Sequence, residues 1–257
     1  MKNSYRLVWF QHFHKAAGSS VVATALANQE TAFPAHQNGN PCDKQGELIP
    51  LDTYSSQELT SFVDRCENEG ITFVACEWDI VDYDTLKSDP RVVLITCIRD
   101  PLKRFVSEFY YSFYRGLHDH ENFELHLANQ LKTSQNEYYC RILSRKQRVE
   151  ALEEADLARS KKILSNFDFI SVLEKENSLN ALYTALGWHL EKARHINKTG
   201  FNRKRAFRFF FKGKRHLTKR HRTHPQVAPD KVFSDRFEEH NSLDRQLYQW
   251  AWQTSQL

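Results

Sequence analysis

Lys15, Gly18, Ser19 and Ser20 fall within one short stretch that directly follows an apolar run. Together they suit one task, holding an anion. Small side chains let a bound group approach the backbone, and amides at a helix N-terminus point toward it. Lys15 adds a full positive charge at the mouth of the turn, and Ala16 and Ala17 keep its walls low. A second set lies further on, where Arg99 closes another apolar run and Ser107 follows eight residues later. A guanidinium and a hydroxyl placed there can project toward one anion, and arginine favours bidentate contact with phosphate.

The elements that must position these residues follow from the hydrophobic pattern. Leu7 to Phe13 is apolar and aromatic enough for a buried strand, and Val21 to Ala27 has helical spacing. Strand, small-residue turn and helix together form a P-loop-like cradle. Gln29–Asp52 is rich in Asn, Gly, Pro and Gln and reads as a loop, either a plain surface excursion or a lid beside the site. Ser56–Asn68 predicts a helix ended by Gly70. Ile71–Cys76 is a second buried strand, delivering Glu77-Trp78-Asp79 at its carboxyl end, where open α/β sheets place ligands. Arg91–Ile98 is the clearest parallel-sheet strand. Asp100 then suits a helix N-cap and Pro101 the first helical position.

Further helices are expected at Asn122–Leu131, Asn136–Leu143, Val149–Leu164 and Ser178–Leu186, the last stopped by Gly187. A strand is expected at Phe167–Leu173. His195–Gly200 reads as a short edge or loop, and Pro225–Glu239 and Ser242–Trp252 as closing helices. The β–α alternation predicts an α/β fold: a single domain over residues 1–257, with a mostly parallel central sheet and helices on both faces.

Length and composition agree. A chain of 257 residues with 40% hydrophobic and 26% charged residues fits one large globular domain. No apolar run approaches the roughly 20 residues needed to span a bilayer, and no signal peptide opens the chain. Five cysteines without a CxxC pair fit a reduced, cytoplasmic protein. Cys76 and Cys97 read as core thiols. The net charge of +4 conceals an asymmetry. Residues 192–229 hold 13 Lys and Arg and no acid, leaving 23 basic against 32 acidic residues elsewhere, a balance of −9. Within that segment Phe201–His224 interleaves phenylalanines with cations. It is a solvated excursion, a site for an anionic acceptor, or a lid over phosphates. Nucleic acid is not the expected partner, because no recognised motif accompanies the strip.

His14–Ser20 (HKAAGSS) and Ile98–Tyr111 (IRDPLKRFVSEFYY) together resemble the two signature motifs of sulfotransferases that use 3'-phosphoadenosine-5'-phosphosulfate (PAPS). The closest resemblance is to the carbohydrate branch containing the heparan sulfate 2-O- and 6-O-sulfotransferases. Asn136–Leu143, Leu152–Glu174 and Asn241–Tyr248 extend it over most of the chain. The resemblance implies that Lys15, Ala16, Ala17, Gly18, Ser19 and Ser20 hold the 5'-phosphosulfate, and that Arg99 and Ser107 hold the 3'-phosphate. It implies that Lys198 and Thr199, with Gly200, close over the nucleotide. PAPS is then the co-substrate, adenosine 3',5'-bisphosphate (PAP) the product, and no metal is required.

The acceptor must lose a proton, so a base is expected near Lys15. Where the 6-O- branch carries a His after its second strand, this chain has Ala75-Cys76-Glu77-Trp78. Glu77 is the natural substitute, with a structural ion pair to Lys15 or Arg99 as its alternative. His12, His14 and Asp79 are the weaker candidates. Relatives in this branch are membrane-anchored, so the missing anchor suggests a bacterial enzyme or a trimmed chain. The acceptor is a small molecule or a saccharide. Two rivals remain: a P-loop nucleotide phosphotransferase and a non-enzymatic binder of anionic glycan or nucleic acid. The first needs its Lys after the glycines, whereas Lys15 precedes Gly18. The second leaves the pairing of Lys15 with Arg99 and Ser107 without a purpose.

Overall fold

A computed structural model describes residues 5–77, 80–115, 117–118, 122–133, 135–146, 150–194 and 227–255. Four strands form the central sheet: β1 (Leu7–Gln11), β4 (Phe73–Cys76), β5 (Val92–Ile98) and β6 (Phe169–Val172). Their order is β4-β1-β5-β6, and every pairing is parallel. Val8 lies opposite Phe73 on one side and Val93 on the other. All five residues of β1 are buried although successive side chains point to opposite faces. Both faces of the sheet are therefore covered, which is why these strands read as continuous apolar runs rather than alternating ones.

Around the sheet lie α1 (Gly18–Ala27), α2 (Ser56–Glu69), α3 (Tyr83–Ser88), α4 (Pro101–Arg115), α5 (Phe123–Lys132), α6 (Tyr138–Ser144), α7 (Glu154–Leu164), α8 (Ser178–Ala185), α9 (Lys231–His240) and α10 (Ser242–Thr254). Local chemistry sets their ends. Ser55 and Glu58 form a capping box at α2, and Gly70 closes it with φ 68°. Asp100 accepts the Lys103 amide at 2.9 Å at the start of α4, in the N-cap role its sequence position predicts. The main core joins the sheet to α1, α2, α6, α7, α8 and α10, with Trp9, Phe10, Phe13, Phe73 and Tyr139 fully enclosed. Each such side chain contributes roughly 1.5–3 kcal/mol of burial free energy. A smaller core of Phe105, Leu127, Phe233 and Phe237 ties α4 to α5 and α9.

Several boundaries differ from the sequence reading. β1 stops at Gln11, and α1 starts at Gly18 rather than Val21, so the cradle residues themselves form the first helical turn. The short helix α3, capped by Asp82, was not expected. The predicted loop Gln29–Asp52 contains a two-stranded hairpin, β2 (His36–Gln37) with β3 (Asn40–Pro41). It leans on β4, where the Ala75 amide donates to the Gly39 carbonyl at 3.0 Å. Gly39 has φ 86°, and a Cβ there would sit 2.9 Å from that of Ala75, so only glycine lets the hairpin approach this closely. The expected edge at His195–Gly200 and the basic segment Phe201–His224 lie outside the described residues.

The strand order fixes where a ligand can sit. The chain passes from β1 to β4 on one side and then to β5 on the other. A crevice therefore opens beyond the carboxyl ends of β1 and β5. Residues 12–15 and Arg99 lie there.

Candidate functional site

A cleft of about 790 Å³ occupies this switch point. It is lined by His12, His14, Lys15, Ala17, Gly18, Ser19 and Ser20 from the β1–α1 turn, Asn38 and Asn40 from the hairpin, Glu77 after β4, Arg99 after β5, and Ser107, Glu108, Tyr111 and Arg115 from α4. The fold thus gathers Lys15, Gly18, Ser19, Ser20, Arg99, Ser107 and Glu77 into one space. Ala16 is the exception. Its side chain is fully buried, and its amide donates to the Phe13 carbonyl at 3.1 Å, so it builds the turn from behind. Lys198 and Thr199 lie outside the described residues.

The turn is strained. Lys15 and Ala17 have φ of 67° and 62°, the left-handed region that non-glycine residues seldom occupy. Ala17 is the N-cap of α1 and supplies no side-chain cap. Gly18 and Ser19 open the first turn, whose amides have no acceptor within the helix, and both residues line the cleft. Gly18 is required for a different reason, since the His12 ring would lie 1.7 Å from any Cβ at this position.

Two tyrosines of α6 hold the walls in place. The His14 amide donates to the Tyr138 hydroxyl at 2.8 Å. The Tyr139 hydroxyl accepts from the Arg99 amide and donates to the Arg99 carbonyl, both at 3.0 Å. The Arg99 guanidinium crosses the cleft to the Lys15 carbonyl at 3.3 Å and lies 3.9 Å from Glu174. The Lys15 Nζ sits 4.1 Å above the Tyr111 ring, and the Arg115 guanidinium is 4.5 Å from the same ring.

The electrostatics divide the cleft in two. On the cationic side, burial lowers the Lys15 pKa to about 8, with Arg99 and Arg115 pushing it the same way against Glu108 and Glu77. An incoming anion would relieve that strain. On the other side stands a carboxylate–imidazole–carboxylate array. His14 Nδ1 is 3.0 Å from Glu77, and its Nε2 is 2.8 Å from Glu108. Burial alone would lower the His14 pKa, but its contacts with Glu108 and Glu77 raise it on balance. Burial opposes ionisation of both acids as well. His14 nevertheless holds Glu77 below its ordinary range, and His14, Ser112 and Arg104 bring Glu108 to about 2. His12 is buried 3.4 Å from Glu77 and stays neutral, its pKa lowered by burial to about 4.

Glu77 therefore pairs with neither Lys15 nor Arg99 but with the two histidines, and Asn40 fixes its amide at 2.7 Å. Sequence reasoning missed Glu108 and Arg115, and it placed Tyr111 on the helix without giving it a role. All three sit on the motif helix α4, where Tyr111 and Arg115 follow Ser107 at four and eight residues, so helical periodicity could have found those two. Asn38 and Asn40 carried no such signal, because only the hairpin brings them here. Among the described residues no group of three or more His, Cys, Asp or Glu could hold a metal ion. All five cysteines are buried free thiols, and no helix among those residues is long and apolar enough to cross a membrane.

No protein-family model matches this chain, and a search of curated proteins finds no match either.

Proposed function

We propose that the protein transfers a sulfuryl group from PAPS to a hydroxyl or amino group of a small-molecule or saccharide acceptor. One observation carries the reading: a switch-point cleft joins an uncapped helix N-terminus and Lys15 on one strand end to Arg99 and Ser107 beyond the next. The donor has two phosphate-type ends, and this cleft has two anion-holding ends. Gly18, Ser19 and Ser20 receive the 5'-phosphosulfate, and Arg99 and Ser107 the 3'-phosphate.

In the transfer, the acceptor's oxygen or nitrogen forms a bond to sulfur as the bond from sulfur to the 5'-phosphate oxygen breaks. That oxygen keeps the electron pair, and Lys15 stabilises its developing charge. The acceptor's proton passes to Glu77, the carboxylate that lines the cleft near Lys15 and is held by His14. The order of residues in the turn disfavours the phosphotransferase alternative, since Lys15 comes before the helix rather than within it.

Thermal stability measured with PAP, ADP and AMP tests the donor. At about 100 times Kd a one-site ligand adds roughly 2.7 kcal/mol, or about 5–10 °C for a chain of this size. PAP is expected to produce that shift, ADP and AMP much less, and Arg99→Ala to lose it. In a transfer assay Lys15→Ala is expected to lower turnover by about 10²–10³ with folding intact. An equal shift with ADP, or none with PAP, would sink the reading.

A further inference from the structure

The β2–β3 hairpin turns through Asn38-Gly39, with φ of 51° and 86°. A two-residue turn needs both residues left-handed to follow the twist of its strands, and Asn-Gly adopts that backbone readily. The turn accounts for the Asn38 backbone but not for its side chain. Asn38 lines the cleft, and its Nδ2 lies 3.5 Å from His12 Nδ1. It also hydrogen-bonds the Glu77 carboxylate and favours its ionised form. On the returning strand, Asn40 Oδ1 accepts the Glu77 amide at 2.7 Å, while Asn40 Nδ2 donates to the Gln37 carbonyl at 2.7 Å. One hairpin thus grips Glu77 twice, the amide through Asn40 and the carboxylate through Asn38.

The hairpin is itself pinned beside this residue. The Gly39 carbonyl accepts the Ala75 amide at 3.0 Å, and the close approach there admits no Cβ. The other groups that face Glu77 all titrate. His12 and His14 reach it from beyond β1 at 3.4 and 3.0 Å. Lys15 acts on it from the same turn and Tyr138 from α6, and Glu108 of α4 stands on the far side of His14. His12 is neutral, and the charge His14 brings is lost as its imidazole gives up a proton. A base must be ionised to act, so it needs a partner that outlasts that loss. The Asn38 amide has no proton to lose in this range, and it donates throughout.

We infer that Asn38 is a positioning residue for Glu77, and that the β2–β3 hairpin is a clasp aiming this carboxylate into the cleft. The clasp follows from the hairpin's own contacts, whereas its use in taking the acceptor's proton rests on the sulfuryl-transfer reading.

The test is an NMR titration of the full chain, isotope-labelled at its glutamate carboxyls. The Glu77 resonance is assigned from its loss in Glu77→Gln and followed from about pH 3 to 8. Asn38→Gly deletes the amide and keeps the left-handed turn. It should raise the Glu77 midpoint by about one pH unit, because a hydrogen bond to the charged form is lost. Asn38→Asp keeps the shape but sets a second carboxylate beside Glu77, and should raise the midpoint further. Gly39→Ala, which pushes the hairpin off β4, should act in the same direction. A purely structural role predicts a lower melting temperature with the midpoint unmoved, and that result in Asn38→Gly and Asn38→Asp overturns the inference. If Asn38→Gly does not fold, Asn38→Asp carries the test. Release of PAP from PAPS, with water as the acceptor, tests the use of the clasp. Its fall on the acid side should move up with the Glu77 midpoint. A release profile that stays in place while the midpoint moves refutes Glu77 as the base and keeps the clasp. A wild type that neither releases PAP nor is stabilised by it refutes the transfer reading instead.

Discussion

Two kinds of helix N-terminus in this protein have opposite fates. At α6 and α10 the chain supplies its own anions. Asp244 accepts the Tyr139 and Cys140 amides at 3.0 and 2.9 Å, while Glu137 accepts the Leu243 and Asp244 amides at 3.0 and 2.6 Å. The two helices thus cap each other with buried carboxylates. At α1 no side chain caps the helix, and the turn before it is held in two left-handed residues. A helix N-terminus attracts negative charge wherever it is. The fold satisfies that attraction with its own carboxylates at α6 and α10 and leaves it without a side-chain cap at α1, where the helix meets the cleft. The two regions are connected, because the braced helix α6 carries the tyrosines that hold His14 and Arg99.

The largest expected effect comes from removing the internal anion. Asp244→Ala strips two amides of a buried acceptor and should cost about 3 kcal/mol in urea denaturation. It should also loosen Tyr138 and Tyr139 and weaken PAP at least tenfold. A loss below about 1 kcal/mol would show that the brace is not what the geometry implies, and the contrast between the two N-termini would fail.

A smaller change of opposite sign is expected on giving α1 a cap of its own. Asp tolerates the left-handed backbone at position 17 better than Ala and can accept the open amides. Ala17→Asp should therefore raise stability by about 0.5–1 kcal/mol while lowering PAP affinity at least tenfold. Unchanged affinity would mean that these amides do not seat the donor.

The smallest effect is a pH dependence. Glu77 and Glu108 raise the His14 pKa above its ordinary value of about 6.5. Its contribution is thus fully present below that value and is lost as the pH rises through the folded-state pKa. The stability difference between the wild type and His14→Gln should accordingly shrink on the alkaline side, which melting curves from about pH 5 to 9 can follow. His12 and Lys15, the other titrating neighbours, are common to both proteins. A constant difference would remove His14 from the array.

Much of this was legible in the chain. Continuous apolar runs such as Val92–Ile98, short and rich in β-branched residues, fit strands covered on both faces, and the sheet shows them so. Asp100-Pro101 announces a helix start through the hydrogen bond the Asp100 side chain can make. The turn residues Lys15, Gly18 and Ser19, which we propose hold an anion, stood out because small residues between a strand and a helix leave amides uncovered. The role of Ala16 was not legible, since burial of one alanine rather than its neighbour depends on the left-handed turns at Lys15 and Ala17.

The sequence by itself determined the elements, their α/β alternation and the two segments that meet in the cleft, because periodicity, capping and turn chemistry act over a few residues. Only the tertiary structure decided what meets what. It turned Glu77 toward His12 and His14 instead of Lys15, placed Glu108 opposite it, carried Asn38 and Asn40 across on a hairpin, and buried Arg104 against the Tyr138 ring. Those outcomes depend on strand order and on packing between segments distant in the chain, where burial and charge pairing are settled by neighbours that no local pattern records.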